Sequence, residues 1–252
     1  VPADLSDDAA LFGIARPLRS YDVKTCQLPD DVLGNATSFI AERTAQMDLD
    51  QVLVAQREYS VVLNTEAGAD RFFGGYKGVD VPRIVRTFND VGLDVCAFGS
   101  TALTLDGRIP VATDDFDVIG DIDRNWPLVV EAARRLNAQP TWSAHDPSVD
   151  ANGIQKVTFR ITDAGLLEMY NHDSVIKAYG HLAYGGRSFG EALEMRRTVA
   201  FAGTSIQTLT TEASLTCTGC VGREKDIPKG VYAESMLKAS ASQGRDQGLG
   251  VA

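Results

Sequence analysis

Cys96-Ala97-Phe98-Gly99-Ser100-Thr101-Ala102-Leu103, followed after a loop by Thr113-Asp114-Asp115-Phe116-Asp117-Val118-Ile119, is the stretch whose reading decides the fold. Residues 94–98 form a short apolar run, Gly99-Ser100 turns it into a helical segment over 101–105, and residues 115–119 read as a second strand. Side chains alternate faces along a strand, so Asp115 and Asp117 point one way while Phe116 and Val118 point to the opposite, buried face. Two carboxylates about 7 Å apart on one strand face repel each other, and burial raises their pKa values. A hard divalent cation relieves that conflict, because Mg²⁺ takes carboxylate oxygens together with substrate phosphate. Gly99-Ser100 supplies the complementary half. A strand that ends in a small turn and opens a helix aims backbone N–H groups and a hydroxyl at an anion, and Gly99 lets the phosphate come close.

Working outward, residues 31–47 and 48–62 carry apolar positions at helical spacing. A Gly-rich stretch at 72–78 reads as a tight turn, and Pro82 with Asp80 ahead of it suits the first turn of a helix reaching Gly92. Beyond the second strand, Asn125 is placed to cap a helix over 126–136. Residues 157–161 and 166–170 form a hairpin around Thr162-Asp163-Ala164-Gly165. A helix over 174–184 and a strand over 205–209 are expected next, with helices covering much of the remainder. Residues 238–250 are small and polar, the composition of a poorly ordered tail. The fold class expected is α+β, a small mixed β-sheet flanked by helices. Its parts are a helical N-terminal extension (1–80), a core (81–210), and a helical C-terminal segment with a disordered tail (211–252).

The Gly-Ser, spacer, Asp-x-Asp pattern resembles the nucleotidyltransferase superfamily, which has a DNA polymerase β-like fold. Bacterial antibiotic nucleotidyltransferases and toxin-type nucleotidyltransferases are the members it looks most like. The resemblance implies a metal-dependent enzyme that moves a nucleoside monophosphate from an NTP such as ATP to an acceptor hydroxyl and releases pyrophosphate. It implies one or two Mg²⁺ ions, or Mn²⁺, on Asp115 and Asp117, with phosphates on Gly99 and Ser100. It also implies a third carboxylate on the second hairpin strand. Glu168 is the only acid in Leu166-Leu167-Glu168-Met169-Tyr170, where relatives more often carry Asp. Glu168 is therefore expected as metal ligand or as the base that activates the acceptor, with Asp163 in the turn as a weaker rival. Gly222-Arg223-Glu224-Lys225-Asp226 looks like the Arg-x-Lys-Asp segment of relatives, which makes Arg223 and Lys225 candidate phosphate ligands. Lys229 stands where relatives often carry Asp. Arg108, in the loop between the halves of the motif, is a further phosphate candidate. The reading from another class is a non-catalytic nucleotide-binding or interaction module.

Composition narrows the partners. A net charge of −10, with no clustered basic face, disfavours a long nucleic acid but allows a nucleotide or a tRNA end. The resemblance implies an acceptor that is a small molecule, an RNA end or a protein hydroxyl. No run of about 18 apolar residues appears, so no membrane span is expected. The first twenty residues lack the basic and apolar segments of a secretory signal, and a cytoplasmic address is expected. Cys217 and Cys220 form a lone C-x-x-C without the second pair that zinc requires, and read as inert thiols. Asp121 and Asp123 repeat the D-x-D spacing but precede a Pro-started helix, where loop and capping roles suffice. His172 follows the Glu168 strand and is a marginal candidate for the site. Trp126 and Trp142 read as packing residues.

Overall fold

The computed structural model describes residues 30–66, 77–141, 148–149, 152–223 and 226–248. Helices α1 (Asp30–Ala45) and α2 (Leu49–Glu66) come first. Helix α3 (Val81–Val91) buries Val81, Ile84, Val85 and Phe88, the one-sided stripe that the 3.6-residue period produces. The Asp80 carboxylate accepts the Arg83 N–H at 3.2 Å, and Gly92, at φ 73°, stops the helix in the left-handed conformation.

Strand β1 (Cys96–Ala97) leads directly into helix α4 (Gly99–Gly107), and β2 (Asp115–Gly120) follows. Helix α5 (Trp126–Arg135) precedes strands β3 (Ala138–Pro140), β4 (Ser148–Val149), β5 (Gln155–Ile161) and β6 (Gly165–Asn171). After helix α6 (His172–Tyr179) comes a small ribbon of β7 (Ala183–Tyr184) and β8 (Arg187–Ser188). Helix α7 (Phe189–Leu193), the hairpin β9 (Arg196–Phe201) and β10 (Thr204–Leu209), and helices α8 (Thr211–Val221) and α9 (Ile227–Gly248) complete the order.

The main sheet runs β3-β5-β6-β2-β1-β10-β9, with β4 on β5. It is mixed: β2 pairs β6 and β1 pairs β10 in parallel, and the other neighbours are antiparallel. One face carries Phe116, Val118, Val157, Phe159, Leu167 and Met169 into a core shared with α3 and α5. The opposite face carries Ile119 into a second cluster with Val175, Phe189, Ala213 and Cys217 from α6, α7 and α8. A third cluster joins Ile40 of α1 and Tyr59 of α2 to Ile109, Val111 and the α9 residues Tyr232, Ala233 and Met236. The two ends of the described chain thus meet on one patch of core. This is the mixed sheet flanked by helices expected from the sequence.

Several local expectations are corrected. Helix α6 begins at His172 rather than 174, because the Asn171 side chain accepts the Asp173 and Ser174 N–H groups. It stops at Tyr179, and Ala183–Tyr184 pairs with Arg187–Ser188 instead. Residues 196–201, for which no strand is expected, are strand β9, whose Thr198, Val199 and Phe201 favour the pleated state. Asn125 stands at the α5 N-cap without a side-chain capping bond. Helix α9 continues through Gly248, into the stretch expected to lack order, where Ala, Gln, Lys and Arg are good helix formers. The Gly-rich turn at 72–76, together with Cys26, Trp142 and His145, lies outside the described residues. Among the described residues no helix is long and apolar enough to cross a membrane.

Phe116 is fully buried on the strand that carries both aspartates. Phe116→Ala should lower unfolding free energy by about 3–5 kcal/mol, through lost transfer energy and a residual cavity. Urea denaturation followed by circular dichroism checks this.

Candidate active site

The register of three strands assembles the acids. In the parallel pair β2–β6, Asp117 lies beside Glu168, and across the β5–β6 hairpin Glu168 lies opposite Thr158 and Tyr170 opposite Lys156. Asp115 sits two residues from Asp117 on the same face. Each of Asp115, Asp117 and Glu168 offers an oxygen within 4.8 Å of the others, and no further metal-type cluster occurs among the described residues.

The three acids live in different environments. Asp115 Oδ1 accepts the Thr113 hydroxyl at 2.8 Å. Its pKa is nevertheless raised, first by burial and then by the Asp114 charge, which outweigh that hydrogen bond. Asp117 is raised well above the carboxylate range by burial, then by Asp115 and Glu168. Its Oδ1 is shut off from solvent and has no hydrogen-bond partner. Glu168 goes the other way. Burial raises its pKa, but hydrogen bonds from Tyr170 and Lys156 outweigh this and hold it below the usual value. Tyr170 donates to Oε2 at 2.5 Å and Thr158 to Oε1 at 3.2 Å, while Lys156 Nζ lies 2.9 and 3.0 Å from the two oxygens. The Tyr170 hydroxyl, pushed well up by burial and by the neighbouring acids, keeps its proton and stays a donor.

Gly99 faces the acids from α4. It has φ +64°, and a Cβ there would collide with Asp117 Oδ2, so both conformation and space demand glycine. The preceding Phe98 N–H fixes the Asp117 carbonyl at 2.9 Å. No side chain caps the α4 N-terminus. Buried Ser100 accepts a hydrogen bond from Lys229 Nζ at 3.1 Å. Arg223 lines the same cleft and pairs with the buried Asp226 carboxylate. The cleft has a volume of about 290 Å³, and Phe98, Ile154, Val175 and Tyr179 form its apolar wall.

The structure therefore brings Gly99, Ser100, Asp115, Asp117, Glu168 and Arg223 together, with Asp114 lining the same cleft. It does not bring Arg108. That residue is the left-handed C-cap of α4, at the far end of the helix from Gly99, and its guanidinium donates to the Met47 carbonyl at 3.2 Å. Lys225 lies outside the described residues. His172 lines a separate cleft of about 700 Å³ with Asp94, Arg124 and Arg196, beyond the Gly120 end of β2. Asp121 accepts the Arg124 N–H at 3.0 Å and Asp123 accepts from Gln155 at 2.9 Å, the loop duties expected of them. Cys217 lines the cleft as a thiol pushed up to about 12, chiefly by burial. Sequence reasoning missed Lys156 and Lys229. Lys156 was accessible from the hairpin register, because it faces Tyr170 one pleat from Glu168. Nothing local links Lys229 to a serine 129 residues earlier.

No family model and no curated protein matches the chain. It is similar to solved structures of nucleotidyltransferases. One is the solution structure of the antibiotic-resistance factor ANT(2'')-Ia, at 15% identity over 67% of this chain and 92% of that one, with a TM-score of 0.41. A second is the crystal structure of ANT(2'')-Ia with adenylyl-2''-tobramycin, at 16% identity over 66% and 89%, with a TM-score of 0.39. A third is a Thermotoga maritima protein proposed to be a nucleotidyltransferase, at 14% identity over 63% and 88%, with a TM-score of 0.37.

Gly99→Ala should cost about 1–2 kcal/mol of stability through its left-handed backbone, and more through the clash of its Cβ with Asp117 Oδ2. Gly92→Ala, whose Cβ would meet nothing within 4 Å, should show the backbone cost alone. Urea denaturation of the pair checks both statements.

Proposed function

We propose that the protein is a metal-dependent nucleotidyltransferase that transfers a nucleoside monophosphate from an NTP to an acceptor hydroxyl. The observation that carries this reading is Asp117. Its Oδ1 is buried without a partner, inside a cluster of three acids, against a glycine whose missing Cβ leaves room for the carboxylate. A buried, unpartnered carboxylate beside two others is strongly disfavoured unless a proton neutralises it or a cation joins it, and a divalent cation relieves all three acids at once.

Asp115 and Asp117 are the residues that would hold the ion, since their oxygens are the less committed ones. Mg²⁺ or Mn²⁺ bound there supplies charge neutralisation at the transferring phosphate. The chain's own groups do the rest. The α4 N-terminus at Gly99 and Ser100, with Lys229 and Arg223 beside it, binds and orients the β and γ phosphates. The acceptor oxygen forms its bond to the α-phosphorus, the bond to the β-phosphate bridge breaks, and pyrophosphate leaves with that electron pair. The acceptor proton goes to an acid of the cluster or to water. Glu168 accepts from three donors in the resting arrangement, and serves as a fixed negative charge at the acceptor side.

Charge in the cleft bears on the acceptor. Asp114, Asp115, Asp117, Glu168 and Asp226 face only Lys156, Arg223 and Lys229 among the described lining residues. Two of those cations are already paired, with Glu168 and Asp226. This balance supports a cationic small-molecule acceptor over an RNA end, whose phosphates need a basic track.

Each labelled NTP, incubated with the protein and cell extract, should label a small cationic species rather than RNA or protein. Asp115→Ala with Asp117→Ala should lower that transfer by at least about 100-fold, the several kcal/mol that a lost catalytic ion represents. Transfer that survives in the double variant would falsify the reading. In calorimetry, NTP binding should be much tighter with Mg²⁺ than with EDTA, and equal affinity in the two would mark a non-catalytic nucleotide binder.

A further inference from the structure

We propose that Lys156 occupies the place of a second metal ion, so that the site takes one divalent cation per chain and holds it on Asp115 and Asp117 alone. The inference rests on the metal-dependent reading above and adds the number of ions and the reason for it.

A carboxylate offers about four lone-pair positions on two oxygens. Glu168 has all of them engaged: Oε1 accepts from Lys156 at 2.9 Å and Thr158 at 3.2 Å, and Oε2 from Lys156 at 3.0 Å and Tyr170 at 2.5 Å. The ammonium is nearly equidistant from both oxygens, where a cation shared by a carboxylate sits. It is held there by more than its charge. Lys156 and Tyr170 are direct cross-strand partners, and Nζ lies 5.5 Å from the Tyr170 ring centroid. The pair is largely sheltered, with side-chain exposures of 23% for Lys156 and 16% for Glu168.

An arriving ion meets two unlike halves of the cluster. Asp117 Oδ1 has no partner, whereas Glu168 is already bound to a cation. Binding a second ion at Glu168 would break the ammonium's two contacts and strand that charge, half-desolvated, next to a divalent one. Like charges at such distances in a sheltered cleft are strongly unfavourable. Lys156 therefore acts as a positioning residue: it keeps Glu168 out of the ion's coordination shell and confines the ion to the aspartates.

Mn²⁺ titration of the full chain without nucleotide, with free Mn²⁺ read by electron paramagnetic resonance, counts the ions directly. The wild type should bind one per chain, Lys156→Arg one, and Lys156→Met two, because its uncharged stem frees the Glu168 oxygens. Glu168→Gln should still bind one. Two ions in the wild type, one in a folded Lys156→Met protein, or loss of the ion in Glu168→Gln would each overturn the inference and leave the metal-dependent reading standing. No ion in the wild type, with nucleotide as well as without it, overturns both. Circular dichroism of each variant reports folding, and a wild-type count of two overturns the inference even if Lys156→Met does not fold.

Discussion

Asp117 stands between its own strand and the first residue of α4, with Oδ1 cut off from both water and hydrogen-bond donors, and with Asp115 and Glu168 crowding the same few ångströms. The fold holds this arrangement by geometry, since the carboxylates themselves oppose it. The parallel register of β2 on β6 sets Asp117 beside Glu168, and burying Phe116 and Val118 leaves Asp115 and Asp117 no other direction to point. A one-residue slip would turn the acids into the core and the phenylalanine into the cleft. Hydrophobic burial on one face of the strand is what forces charge together on the other.

The surrounding cations are graded to suit. Lys156 answers Glu168, Arg223 answers Asp226, and Lys229 reaches Ser100. None of them touches Asp117 Oδ1. Asp117 is also the acid lying against Gly99. With Glu168 and Asp226 paired, the cleft's acidic excess falls on the aspartates of β2 and on Asp114 beside them.

How much of this was legible in the sequence follows from which interactions are local. Strand alternation selected Asp115 and Asp117 over Asp114, and Gly99 announced itself by standing between a strand and a helix. The α3 caps, Asp80 and Gly92, were readable for the same reason. Glu168 needed the hairpin, and the hairpin was visible in its turn residues. Strand β9 was not, because Arg196 and Arg197 dilute its apolar pattern and its partner β10 supplies the pairing. Arg108 was misplaced because a loop position says nothing about which end of a helix the loop leaves. Lys229 was invisible in principle: its role depends on α9 packing across the molecule, and that packing is set by clusters drawn from both ends of the described chain.

The placement of α9 also orders events in time. Its Lys229 arrives at Ser100 from a point 129 residues later in the chain, and the helix is seated by Ile40, Tyr59 and its own Tyr232 and Met236. During synthesis, the strands bearing Asp115, Asp117 and Glu168 leave the ribosome before Lys229 is made. A chain halted before α9 would keep the acids on their strands, yet it would lack both the Lys229 ammonium on Ser100 and the α9 share of the third core cluster.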